Sequence, residues 1–179
     1  MSWPTHPLLA FDVASTGLDT STVRSVTAAL ALVHRDGTTS ARTWLIDLGI
    51  EIPAEVAEAT AIHGISTEHA GAQGEPPADV LAPGLVAIRW AWARWLPLAG
   101  FNLNCYLTLL VHETRRHGLG EFVVAGPLLD PFVLNRYRKG SRKLVDQARH
   151  YGVDLIDTHT ATADATAAAL VASRQVRNG

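Results

Sequence analysis

The stretch Leu8-Leu9-Ala10-Phe11-Asp12-Val13-Ala14-Ser15-Thr16-Gly17 decides how the rest of this sequence is read. Its first half is an uninterrupted apolar run, and Thr16-Gly17 closes it with turn chemistry, so it predicts a buried central strand entering a turn. Asp12 interrupts the apolar character. A strand covered on both faces has little tolerance for a carboxylate unless something pairs with it, which marks Asp12 as a candidate functional residue, the alternative being a simple strand-to-turn residue.

Working outward, Val26, Ala28, Leu30 and Leu32 give Ser25 to Val33 the pattern of a second strand. Arg35-Asp36-Gly37 supplies a hairpin turn, and Arg42 to Asp47 returns as a third strand. Beyond Gly49 the character changes. Pro53 to Ala61 reads as a short helix, Ile62 to Ser66 as a loop leading into Thr67 to Ala70, and Gly71 to Pro77 as a flexible connection. Pro83-Gly84 should break the next segment, leaving a helix from about Leu85 to Trp95. Trp90, Trp92 and Trp95 fall on different sides of it, with core packing and an interface both open.

Leu96 to Phe101 predicts a fourth strand ending at Asn102, and Cys105 to His117 a helix whose apolar positions are Leu107, Leu110 and Val111, stopped by Gly118. Phe122 to Leu129 is a short strand broken at Gly126-Pro127. Arg142 to Tyr151 and Ala161 to about Arg174 complete the helices, the last so rich in alanine that it should approach a sheet closely. Strands followed by alternating helices and strands describe an α/β arrangement, a mixed five-stranded sheet flanked by helices, in one domain spanning residues 1–179.

Bulk properties narrow the function classes. The chain has 179 residues with 47% hydrophobic content, enough for one sizeable core. No apolar run reaches the length of about 18 residues that a membrane span needs, and Met1 to His6 lacks a basic-then-apolar leader, so the expected location is the cytoplasm. The single cysteine, Cys105, cannot build a disulfide framework or a thiolate metal site, and an inert buried thiol is its expected state. A net charge of -2 argues against a surface that attracts nucleic acid everywhere. A local basic run, Arg136, Arg138, Lys139, Arg142 and Lys143, can track a phosphate backbone or simply be a solvated face.

Three segments gather polar groups at strand ends and helix starts: Asp12 to Leu18, Phe101 to Leu110, and His159 to Asp164. In this order and spacing they resemble the DEDDh 3′-5′ exonucleases, a family with a ribonuclease H-like fold that includes the epsilon proofreading subunit of bacterial DNA polymerase III. The resemblance covers Leu8 to about Val171, with support from Ala61-Ile62-His63-Gly64-Ile65, Asp130-Pro131 and Lys139 to Leu144. The family's first motif reads Asp-x-Glu-Thr-Thr-Gly, and here the glutamate position holds Ala14. Its second motif places an aspartate where this sequence has Tyr106. The third, a histidine followed by an aspartate, is kept as His159 and Asp164.

The resemblance implies a cleft lined by Asp12, Ala14, Thr16, Asn102, Cys105, Tyr106, His159 and Asp164. It also implies a mechanism using two divalent cations held by four carboxylates, with the histidine as base toward water. Only Asp12 and Asp164 remain as metal ligands, so a cation pair would be left with about two uncompensated positive charges. No cofactor is therefore expected, with Mg or Mn bound weakly at most. Three expectations result: a catalytically silent module that holds a nucleotide, a single-stranded nucleic-acid end or another small ligand; an enzyme repurposed to metal-independent acid/base chemistry through His159 and Tyr106; and, ranked last, a one-metal nuclease on Asp12 and Asp164 helped by Asn102, Asn104 or Asp157. Tyr106 itself either fills the vacated space or offers a new hydrogen bond. Homodimers or larger assemblies are compatible with all three.

Overall fold

The computed structural model describes residues 7–17, 19, 21–52, 64–137, 141–155 and 160–177, apart from the side chains of residues 136, 137 and 177. Five strands form one sheet in the order β3-β2-β1-β4-β5. They are β1 (Leu8–Ser15), β2 (Ser25–Val33), β3 (Thr39–Leu45), β4 (Leu98–Ala99) and β5 (Leu128–Leu129). β1 pairs antiparallel with β2, and β2 with β3, whereas β1, β4 and β5 run parallel, so the sheet is mixed as expected. The helices among the described residues are α1 (Thr67–Gln73), α2 (Pro77–Ala93), α3 (Leu103–Arg116), α4 (Pro131–Tyr137), α5 (Leu144–His150) and α6 (Ala161–Arg177).

Side-chain alternation along β1 explains why this strand is central. Leu9, Phe11 and Val13 join a large core with α2 and α3 residues such as Leu85, Ile88, Leu103 and Leu107. Leu8 and Ala10 join a second core on the opposite face, where Ala29, Ala31 and Ala99 meet Ala161, Ala165 and Ala169 of α6. That seam is built from small residues on both sides, which lets the helix lie close over β1 and β2. The hydroxyls of Thr43 and Thr162 add a polar tie between β3 and α6.

Several boundaries differ from the sequence expectation. β3 starts at Thr39 because Thr39 pairs directly with Val33, carrying the hairpin ladder from the Arg35-Asp36-Gly37 turn. Gly71 to Gln73 complete α1, and Glu75 bridges Ile46, so the expected flexible connection is pinned. α2 begins at Pro77, eight residues before the expected start. Proline suits a first helical position, and the bond lost at Pro83 is outweighed by buried Val80, Leu81, Leu85, Ile88, Ala91 and Trp92. Trp92 lies in the core against Phe122, whereas Trp90 carries the Arg94 guanidinium 4.3 Å from its ring centroid and Trp95 is 81% exposed.

α3 begins at Leu103, earlier than expected, and α4 stands where the sequence reading placed no element. α5 is shorter than the expected Arg142 to Tyr151, and α6 continues past the expected end at Arg174 to Arg177. β4 and β5 are two residues each, far shorter than expected, since Pro97 and Pro127 lack the N–H that would extend either ladder. The helix expected over Pro53 to Ala61, and His63 with it, lies outside the described residues. No helix among the described residues is long and apolar enough to cross a membrane.

Gly74 is the tightest backbone approach in this frame. A Cβ there would meet the Ala70 carbonyl oxygen, Asp47 N at 2.5 Å and Ile46 C at 2.8 Å, all main chain. Gly71, one turn earlier, has nothing within 4 Å of such an atom. Gly74→Ala is therefore expected to destabilise the protein by about 2–3 kcal/mol, while Gly71→Ala stabilises it by about 0.5–1 kcal/mol. Urea unfolding of the two variants checks this, and equal midpoints would contradict it.

Candidate functional site

The site is assembled from the C-terminal half of β1, the start of α3 and the first turn of α6. Asp12 sits opposite Ala29 on β1 and shares the parity of Leu8 and Ala10, which pack toward α6. It is 8% exposed. α3 brings Tyr106 to it: the ring packs edge-on against Phe11, with centroids 6.2 Å apart, and the phenol hydroxyl donates a hydrogen bond to the Asp12 carboxylate. Asp164 on α6 is near enough for its charge to act on both groups.

Burial dominates the electrostatics. Loss of solvent pushes the Asp12 carboxyl up to about 7; the Tyr106 hydrogen bond opposes the shift, the Asp164 charge adds to it, and a backbone bond to Val13 opposes it slightly. Burial, followed by the charge of Asp12, holds the Tyr106 phenol well above its ordinary range. Tyr106 is thus a neutral donor at any ordinary pH, and Asp12 exchanges a proton near neutrality.

α3 owes its position to a carboxylate from another part of the chain. Asn102, with φ 63, turns the backbone through the left-handed region, which asparagine tolerates better than most residues. Its side chain makes no cap bond to the helix. The cap comes instead from Asp130: Oδ1 accepts from Asn102 N (3.0 Å) and Oδ2 from Leu103 N (2.8 Å). Oδ1 also accepts from Phe132 N (2.9 Å), so the same side chain starts α4, whose Pro131 occupies the favourable first position. An Asp-Pro pair was the signal available in the sequence for the second of these roles only.

Of the expected cleft residues, Asp12, Tyr106 and Asp164 come together. Thr16 is buried, and its Oγ1 accepts from Arg24 N at 3.0 Å. Ala14 pairs with Thr27 on β2 and is half-buried. Asn102 Nδ2 donates to Cys105 Sγ at 3.1 Å. Cys105 is half-buried, in contrast to the fully buried thiol expected, because it lies on the first turn of α3, at the end of the sheet. Arg142 and Lys143 are exposed ahead of α5. His159, Asp157, Arg138, Lys139 and the side chain of Arg136 lie outside the described residues. Among the described residues, no three His, Cys, Asp or Glu side chains converge as a metal site.

The sequence reading missed Glu113, a buried carboxylate on α3 that gathers Arg24, Arg116 and His117. The spacing of Glu113, Arg116 and His117 along one helix was a legible signal for part of it. Arg24 is distant in sequence and gave none.

No family model and no curated protein matches this chain. Solved structures do. Escherichia coli exonuclease I in complex with a 5cy-dA13 oligonucleotide superposes with a TM-score of 0.75 at 14% identity, over 97% of this chain and 40% of that one. Exonuclease I from Methylocaldum szegediense gives 0.75 at 19% identity with the same coverage. The zinc-bound form of the E. coli exonuclease I complex with single-stranded DNA gives 0.75 at 15%, over 97% and 41%. The chain has the fold of the matched part of exonuclease I. At this level of identity the likeness concerns the ribonuclease H-like exonuclease fold alone, and the chain spans about 40% of the length of these neighbours. The end of β1 is where the three sequence segments were expected to meet, and Asp12, Tyr106 and Asp164 are the members of them that the described residues bring there.

These contacts make two outcomes measurable. Between the ordinary aspartate range near 4 and about 7, the folded protein retains a proton on Asp12 that the unfolded chain releases, so wild-type stability falls as pH rises through this window. Relative to Asp12→Asn, the loss should be about 1.4 kcal/mol per pH unit there, and parallel pH profiles in denaturant unfolding would contradict it. Asp130→Ala removes three bonds to backbone N–H groups and should cost about 2–3 kcal/mol. It should also shift the tyrosine near-ultraviolet signal, since Tyr106 rides on the helix it releases.

Proposed function

We propose that this chain is a degenerate member of the exonuclease fold that holds a nucleotide, or the end of a single strand, in the cleft at the end of β1 without two-metal hydrolysis. One observation carries the reading: a tyrosine hydroxyl occupies the partner position of the buried Asp12 carboxylate, which is pushed up to about 7. A pair of divalent cations requires several charged carboxylates to offset it. Ala14 contributes none, Tyr106 stays neutral, and Asp12 is partly protonated at neutral pH. This donor set does not fit such a pair.

The residues that remain suit binding. With Asp12 protonated, the floor of the cleft repels an anionic ligand less than two charged carboxylates would. Two of these neighbours, both of E. coli exonuclease I, are complexes with an oligonucleotide or single-stranded DNA, which supports nucleic acid as the ligand class. Arg142 and Lys143 are exposed and available to a phosphate backbone.

A second reading is favoured by the same protonation behaviour. A carboxyl that titrates near 7 suits general acid/base catalysis at neutral pH, so a repurposed enzyme acting on a small molecule would use Asp12 as the proton-exchanging group and Tyr106 as a donor. His159, as base, belongs to this reading too.

The test is titration of the protein with thymidine monophosphate and a labelled single-stranded oligothymidylate, in chelator and then with Mg or Mn. Binding in chelator that weakens with salt, and no shortening of the strand with metal, is the expected result. Trimming from the 3′ end at an ordinary enzymatic rate of about 1 s⁻¹ or more, abolished in Asp164→Ala, would overturn the binding reading and revive a one-metal nuclease on Asp12 and Asp164. The combined variant Ala14→Glu, Tyr106→Asp should gain at least about tenfold in Mn affinity by calorimetry, since it restores two charged ligands.

A further inference from the structure

Away from the Asp12 cleft, α3 ends in an ion cluster whose hydrogen bonds cannot all form at once; a neutral imidazole can meet either neighbour according to its tautomer, whereas a protonated one cannot accept from Arg24. The Glu113 side chain is 1% exposed. Its Oε1 accepts from Arg24 Nε at 3.0 Å and Arg116 Nη1 at 2.7 Å, and its Oε2 lies 3.2 Å from His117 Nε2. That same imidazole nitrogen lies 2.9 Å from Arg24 Nη2. A guanidinium only donates, so the Arg24 contact needs a bare Nε2 lone pair. A carboxylate only accepts, so the Glu113 contact needs Nε2–H. One nitrogen can satisfy one neighbour at a time.

The origin of the four groups determines what moves. Glu113, Arg116 and His117 are fixed to one another by the last turn of α3 and its C-cap. Arg24 alone comes from elsewhere, at the start of β2. Its backbone is paired with Thr16 in both directions: Thr16 N donates to Arg24 O at 2.9 Å, and Arg24 N donates to Thr16 Oγ1 at 3.0 Å. Arg24 is thus the fastening between α3 and the turn that follows β1. Asp19 of that turn and His112 of α3 also face each other, a second and weaker charge contact across the same seam. Adding a proton to His117 raises the cluster from one excess positive charge to two in a partly buried place and removes the lone pair to which Arg24 Nη2 donates, so a contact between Arg24 and α3 is lost.

We propose that His117 is a protonation-sensitive latch: bare at Nε2, it accepts from Arg24 and closes the Thr16–Arg24 pair onto α3; protonated, it donates to Glu113 and gives up the Arg24 Nη2 contact, leaving Arg24 held to α3 by Glu113 Oε1 alone and loosening the pair that carries Thr16. The latch itself is independent of what the cleft binds. Its consequence for affinity rests on the proposed reading, in which Thr16 lines the ligand cleft.

Amide hydrogen exchange over residues 16–24 tests it, in wild type and in His117→Gln, at about pH 5.5 and about pH 7.5, the range histidine spans. His117→Gln is a half-exposed, uncharged replacement that retains an acceptor for Arg24. In wild type, protection of this segment should fall by about fivefold at the lower pH, equivalent to about 1 kcal/mol, after correction for intrinsic exchange. In His117→Gln it should stay level. The same fall in both proteins, or none in wild type, overturns the latch. Thymidine monophosphate affinity, compared between the two proteins at each pH, should show a wild-type deficit at the lower pH only. Failure of the nucleotide to bind either protein at both values counts against the nucleotide reading, while the latch still stands or falls on the exchange rates.

Discussion

A carboxylate placed on the central strand of a two-faced sheet has to be neutralised, paired or hydrated, and the geometry of this protein is arranged around how Asp12 resolves that demand. β1 is covered by a large core on one face and an alanine seam on the other, so solvent reaches Asp12 poorly. The seam draws α6 close and carries Asp164 with it, which adds like charge and worsens the demand. Tyr106 answers it with one hydroxyl. A single neutral donor offsets only part of the burial cost, and the remainder is expressed as a proton taken up near neutrality.

Much of this was legible in the sequence, and the reasons differ by element. The apolar run of β1, the alternation of β2 and the Asp-Gly hairpin are local signals, and the structure follows them closely. The alanine content of α6 announced close approach to a sheet. The misjudged regions are those where tertiary contacts overrode local rules. Pro83 would break an isolated helix, yet α2 runs through it because six buried side chains hold both halves on the same core. β4 and β5 shrank because prolines cut their ladders while the neighbouring residues still looked like strand.

Within the site, Asp12, Tyr106 and Asp164 could be paired only through a resemblance, since no local spacing joins a strand, a helix start and a helix far down the chain. The Asp130 cap and the Glu113 cluster illustrate the same limit from the other side. Asp130 reaches Asn102 across 28 positions and Arg24 reaches Glu113 across 89, separations over which a single sequence carries no periodic trace. What the sequence did offer was half of each device: an Asp-Pro pair that starts a helix, and a glutamate one turn ahead of an arginine and a histidine.

Two aspartates at this end of the sheet stand in opposite surroundings. Asp130 accepts from three backbone N–H groups, so it is committed to holding α3 and α4 in place. Asp12 has one phenol and a backbone bond to Val13 on its side and the charge of Asp164 against it, and burial outweighs that support. A carboxylate saturated with donors is rigid and inert, whereas one that is under-supplied changes state with its surroundings. The first fixes the helix that delivers Tyr106; the second is the group on which a bound ligand, or a change of pH, can act. Replacing the donor at Tyr106 with another acid would deepen the shortfall at Asp12 unless cations entered with it, and this coupling makes Tyr106, rather than Ala14, the residue on which the state of Asp12 turns.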